Sequence, residues 1–181
     1  MIKFLLNLAI QSFATRYSYD AAYMQHVTKT SASAGLRLAI ALPLFTQYNG
    51  PKAALEVRWG AQLGSTLDGD CGPCAQLVTN MALEAGVPAD MLTLCLQGQA
   101  ASAGNVGLGF RFAQAAIADA ADLDDLRQEI ALRFGEVAVT AAACAASSGR
   151  IYPVLKRGLG FAKTCSQVNV GHDTIKVQLR T

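Results

Sequence analysis

The chain has 181 residues, a formal net charge of +2, 52% apolar residues and only 15% charged ones, with a mean hydropathy of +0.28. That length fits a single domain of roughly 100–200 residues with its own core. The weak, unclustered charge argues against a nucleic-acid partner, which needs dense Lys and Arg. No stretch reaches the ~20 apolar residues of a membrane span, so no membrane association is expected. High apolar content with sparse charge predicts a homo-oligomer, because too little polar surface is left for a monomer.

In chain order, helical periodicity marks Ile2–Thr15, Tyr19–Thr28, Ala34–Gln47, Lys52–Thr66, Pro73–Ala85, Pro88–Leu96, Gly107–Ala118, Leu123–Phe134 and Glu136–Ser147. The first of these places Phe4, Leu5, Leu8 and Phe13 on one face. It reads as an amphipathic helix packed on the body or on another subunit. A signal peptide is not expected there, because Asn7 interrupts a short apolar run and Arg16 soon follows. Asn49-Gly50-Pro51 and Gly86-Val87-Pro88 punctuate helix ends, and Asp122 is a candidate cap. Gly98–Gly109, rich in Gly and Ala, reads as a connecting loop. Only Thr174–Leu179 alternates with period two, as a terminal strand or extended arm. The expectation is an all-α fold in one domain. Residues 1–50 form N-terminal helices, 51–160 the core and 161–181 a tail.

Five cysteines are present. Cys95 and Cys144 sit singly in apolar surroundings and read as small buried residues, while Cys165 follows a Gly-rich stretch. With no signal peptide, the set fits a reducing cytoplasm. Cys71 and Cys74 differ. They lie in Leu67-Asp68-Gly69-Asp70-Cys71-Gly72-Pro73-Cys74, where Gly69 permits a turn and Pro73 suits the first turn of a helix. Both sulfurs then sit at a helix N-terminus, whose free N–H groups and dipole favour a thiolate. Their three-residue offset allows a disulfide. Cys74 heads the apolar stripe Leu77, Val78, Met81, Ala82, so it should be buried and Cys71 exposed. Asp68 and Asp70 could cap the helix or accept a proton; Arg58 and Gln76 are also near, and either could be plain surface. A zinc site needs about four ligands, and no second paired motif supplies them. No metal or cofactor is expected.

Cys-Gly-Pro-Cys is the thioredoxin tetrapeptide, but thioredoxin carries an apolar strand and an aromatic residue before it. Here Asp70 precedes Cys71, and the upstream residues are helical in pattern. The helix, acidic turn, Cys-x-x-Cys and helix ending in Glu84-Ala-Gly-Val, over Lys52 to Leu159, instead resemble the carboxymuconolactone decarboxylase and alkylhydroperoxidase D-like superfamily. The resemblance implies an all-helical, oligomeric protein. In its redox members the second cysteine attacks peroxide and the first resolves it as a disulfide. It also implies a proton relay, from which this chain departs. Val78 stands where a His four residues after the second Cys would be, Pro73 where a second His often lies, and Trp59 near the place of a relay Glu. Glu56 is the nearest carboxylate on that helix.

Three functions follow as expectations. The first is a thiol–disulfide or peroxide-linked oxidoreductase using Cys71 and Cys74, with Glu56 and Asp70 as proton-relay candidates. It would take a small peroxide or disulfide as substrate and a thiol or disulfide electron donor as partner. The second is a non-catalytic helical oligomer with a redox-sensitive or structural Cys pair. The third is a decarboxylase-like enzyme of the same fold.

Overall fold

The computed structural model describes residues 2–164 and 166–178. Helix α1 (Ile2–Tyr17) and α2 (Ala22–Thr30) open the chain. Then α3 (Ala32–Leu36) runs through a π-helical turn (Arg37–Ala41) into α4 (Leu42–Thr46). A 3-10 turn (Lys52–Ala54) leads into α5 (Leu55–Asp68), followed by α6 (Gly72–Glu84) and α7 (Ala89–Leu96). A second 3-10 turn (Ala100–Ser102) precedes α8 (Gly104–Ala118), α9 (Leu123–Phe134) and α10 (Glu136–Gly158). Strands β1 (Gln167–Val170) and β2 (Asp173–Lys176) form an antiparallel hairpin with Val168 opposite Ile175. The fold is essentially all-α. Among the described residues, no helix is long and apolar enough to cross a membrane.

Helix α5 is the centre of the molecule, and every residue from Val57 to Leu67 is buried. One face joins α6, α7 and the hairpin through Trp59, Leu63 and Leu67. The other joins α8, α9 and α10 through Val57 and Ala61. Such burial on all sides requires close neighbours, and glycine supplies them. A Cβ on Gly60 would overlap the Val106 carbonyl, and one on Gly109 would overlap the Val57 carbonyl. A Cβ on Gly64 would lie 2.7 Å from the Phe110 oxygen. The backbones of α5 and α8 therefore touch.

This crossing corrects the reading of Gly98–Gly109 as a loop, since α8 begins at Gly104. Gly98 and Gly104, at φ +76 and +52, do turn the chain, while Gly107 and Gly109 serve helix packing against the Ala100 and Val57 carbonyls. A second correction concerns α10, expected to end at Ser147 but continuous to Gly158 through Pro153. Proline inside a helix removes one hydrogen bond and costs ~3 kcal/mol. Tertiary packing offsets that: Pro153 is buried against Gly69, and Tyr152, Leu155 and Leu159 pack on the α1–α2 cluster. Asp122 occupies the α9 N-cap position without a side-chain capping bond. Strand β1 was missed, although Gln167-Val-Asn-Val alternates and Gly171, at φ +61, opens the turn. Leu179 of the expected terminal strand lies outside the described residues.

The α5–α8 contact makes a paired prediction. Gly60→Ala and Gly109→Ala should each destabilise the protein by about 1–3 kcal/mol or more, as overpacking against backbone atoms does. At Gly158, where an added Cβ meets nothing within 4 Å, alanine should stabilise by ~0.5–1 kcal/mol through helix propensity. Urea denaturation of the three variants measures both signs.

Candidate functional site

Helix α5 ends at Asp68, whose carboxylate pairs with Arg150 on α10. The turn to α6 passes through Gly69 and Asp70. Here the left-handed residue is Asp70, at φ +46, whereas Gly69 has an ordinary φ of −72. Gly69 is needed for space, because a Cβ there would lie 2.8 Å from Pro153. Cys71 is the N-cap of α6, Pro73 lies in its first turn, and Cys74 follows. The two cysteines are disulfide-bonded, with a Cα–Cα distance of 5.3 Å. The helix start, the proline and the pairing all match the spacing argument.

The expected difference in exposure does not hold. Cys71 is 2% exposed and Cys74 4%. The chain beyond α10 returns over the motif, and the Gly72 amide donates to the Lys163 carbonyl at 3.2 Å. That segment is tied down by Lys163 Nζ to Asp20 at 2.8 Å, while Arg157 donates to the Gly69 carbonyl at 2.7 Å. Sequence reasoning missed this cover because Lys163 is remote from the motif in the chain.

What separates the two sulfurs is a cavity of about 330 Å³, which Cys74 lines and Cys71 does not. Helices α5 and α6 form one wall, from Arg58, Trp59, Gln62, Leu77 and Val78. Helices α1 to α4 close it from the other side, through residues such as Phe13, Tyr23 and Leu38. The wall is mostly apolar with a few polar groups, the usual make-up of a small-molecule pocket.

Arg58 is the chief polar feature, and of its two readings, near the site or plain surface, burial excludes the second, since it is only 2% exposed. Its guanidinium lies over the Trp59 ring, 4.0 Å from the centroid. Nη2 donates to the Thr46 carbonyl at 2.7 Å, while Nε and Nη1 have no partner among the described residues. Burial lowers its pKa to about 10. The signal was present in the sequence: from Leu55 to Leu67, a stretch otherwise free of charge beyond Glu56, Arg58 is the only cation.

The other candidates lie elsewhere. Glu56 accepts a hydrogen bond from Asn105 at 2.9 Å and does not line the cavity. Asp70, beside Cys71 in the turn, does not line it either. Gln76 is half-buried and holds β1, exchanging hydrogen bonds with the Asn169 backbone. Cys95 is buried, which pushes its pKa up to about 12. Cys144 is only half-buried, contrary to expectation, and Cys165 lies outside the described residues. Among the described residues no three His, Cys, Asp or Glu side chains cluster as metal ligands. No protein-family model, curated protein or solved structure matches the chain.

A second buried cation lies behind the cavity. Lys156 is 2% exposed, with its ammonium over the rings of Tyr19 and Tyr23 at 4.6 and 4.9 Å. Burial lowers its pKa to about 8, Asp20 opposing the shift and Lys163 adding to it. The unfolded chain therefore binds the proton more tightly than the fold between about pH 8 and the ordinary lysine value, and stability rises with pH above 8. From about pH 9 the buried Cys95 opposes that rise, and near pH 10 the buried Tyr19 and Tyr23 add to the opposition, because burial raises the pKa of all three. Lys156→Met should abolish the rise between about pH 8 and 9 in urea melts. Two reagents of different size should also sort the reduced cysteines. A small alkylating agent should modify Cys74 faster than Cys71, and a bulky maleimide should modify neither quickly, as peptide mapping would show.

Proposed function

We propose that the chain is a thiol-based oxidoreductase in which Cys71 and Cys74 alternate between dithiol and disulfide. A small peroxide is the oxidant and a thiol the electron donor. The observation that carries this reading is the Cys71–Cys74 disulfide at the start of α6, with Cys74 alone of the two on the cavity wall. The resemblance to the alkylhydroperoxidase D-like superfamily assigns the same roles. A further point in its favour is that Trp59 and Val78, standing where that family's relay residues would be, both line the cavity beside Cys74.

In the reduced protein the Cys74 thiolate, favoured at the helix N-terminus, attacks the terminal oxygen of a hydroperoxide. An S–O bond forms and the O–O bond breaks. The alkoxide takes a proton and leaves as an alcohol, and Cys74 becomes a sulfenic acid. The Cys71 thiolate then attacks that sulfur, forming the S–S bond and expelling hydroxide, which is protonated to water. Two thiols of an external donor reduce the disulfide and are themselves oxidised. No cofactor enters these steps. With Trp59 and Val78 at the relay positions and Glu56 turned to Asn105, no His, Asp or Glu among the described residues lines the cavity as a base. The rate should therefore fall short of a base-assisted peroxidase by about 10²–10⁴.

The test counts thiols in reduced protein given one equivalent of a small organic hydroperoxide. The wild type should lose two thiols per chain relative to a C71S/C74S background. Cys71→Ser should stop at a sulfenic acid on Cys74 that dimedone traps, and Cys74→Ser should not respond. Loss of no thiols beyond the background, or an unchanged response in Cys74→Ser, would overturn the reading.

The same reading includes a homo-oligomer. Its support is apolar surface on α1, where Phe4 is 66% exposed beside Ile2, Leu5 and Leu8, and on the α3–α4 run, where Leu44 is 77% exposed. Light scattering at micromolar concentration should give at least twice the 19.0 kDa chain mass, and a monodisperse monomer would refute it.

A further inference from the structure

The charges of the interior do not balance. Arg58 and Lys156 are buried, and among the described residues no Asp or Glu is. A buried cation without a counter-charge is costly, several kcal/mol even after relaxation, and proteins ordinarily pair it. Lys156 has two aromatic faces beneath it and feels the charge of Asp20. Arg58 takes part in no ion pair among the described residues, and one carbonyl, that of Thr46, accepts from it. Two of its nitrogens remain without acceptors, although it lines a cavity large enough for a ligand.

The groups around it share one chemistry. Beside Arg58, the Trp59 Nε1–H is also buried without a partner among the described residues, and across the cavity so is the hydroxyl of Thr28. Guanidinium and indole N–H groups only donate. A ligand here must therefore accept hydrogen bonds, and it must be anionic to balance Arg58. A carboxylate, with two oxygens and about four lone-pair sites, matches the guanidinium fork. The rest of the wall is apolar, from Ile10, Phe13, Leu38, Leu77 and Met81. An apolar cavity of about 150 Å³ accepts benzene, so this one has room for a body of eight to ten carbons, by roughly that proportion.

We propose that the cavity binds a small organic carboxylate with an apolar body, its carboxylate held by Arg58 and its body against the α1–α6 lining. Arg58 is the anion-binding residue. The binding stands apart from the redox reading and deepens it: if Cys74 is the reactive thiol, its oxidant is a carboxylate-bearing hydroperoxide, delivered along the same cavity.

The probe is octanoate, compared with octanol and acetate, and the signal is the fluorescence of Trp59, the single tryptophan. Octanoate should bind saturably and at least tenfold more tightly than either comparison compound, since octanol lacks the charge and acetate the body. Arg58→Met should lose the preference for octanoate over octanol. Removing an unpaired buried charge relieves a desolvation cost, so this variant should fold, as thermal melting checks. Arg58→Lys keeps the charge without the fork. It should retain the preference with affinity reduced several-fold. Equal binding of octanoate and octanol, equal binding of acetate and octanoate, or no binding of octanoate at millimolar concentration would each overturn the proposal on wild-type protein alone. The C71S/C74S variant should bind octanoate as the wild type does. Failure of the thiol chemistry then leaves the binding result standing, and failure of binding leaves the thiol count unaffected.

Discussion

Two backbones in contact set the geometry of this protein. Gly60 and Gly64 on α5 meet the carbonyls of Val106 and Phe110 on α8, and Gly109 on α8 meets that of Val57. Because α5 and α8 approach so closely, α5 can be surrounded on every side and still leave no void against α8. A helix buried all round normally carries no charge. Here it carries Arg58, directed into the gap between α5 and the N-terminal helices. The tight face and the open face belong to the same helix. The glycines hold one closed, while Arg58, Trp59 and Gln62 line the other.

The cysteine pair is placed by that helix as well. Where α5 ends, the turn at Gly69 and Asp70 fits beneath Pro153 of α10 and delivers Cys71 and Cys74 to the start of α6. Helix α10 holds this turn twice, through the Asp68–Arg150 ion pair and the bond from Arg157 to the Gly69 carbonyl. The disulfide thus closes at a helix start with both sulfurs covered. Access differs all the same. Cys71 lies beneath the segment that follows α10, and Cys74 opens onto the cavity roofed by α1 to α4. Tyr17 and Arg16 on α1 both engage Glu84 on α6, which fastens that roof to the wall it covers.

Much of the local structure could be read from the residues. Helical periodicity placed α9 at its observed bounds and most other helices within a few residues, because Ala, Leu and the Gly and Pro stop signals act locally. The Cys-x-x-Cys motif announced a helix start for the same reason, as proline and the three-residue spacing fix geometry within one turn. Its failures share a different cause. Gly107 and Gly109 read as loop residues when taken alone, yet they are helical where the Ala100 turn and α5 lie against them. Pro153 is a helix breaker by propensity, yet it stays helical where Gly69 receives it.

The sequence by itself determined most of the helices, the closeness of Cys71 to Cys74 and the general apolar character of the chain, since these depend on neighbours a few residues apart. Only the tertiary structure decided which sulfur lines the cavity and which does not, because the covering stretch of chain, at Lys163, lies about ninety residues from the motif. It also decided the state of Arg58. An arginine between Val57 and Trp59 has no burial of its own. Burial comes when α1 to α4 fold over it, and those helices bring carbonyls, hydroxyls and apolar side chains to the cavity but no carboxylate. The unpaired charge is therefore a property of the packed molecule.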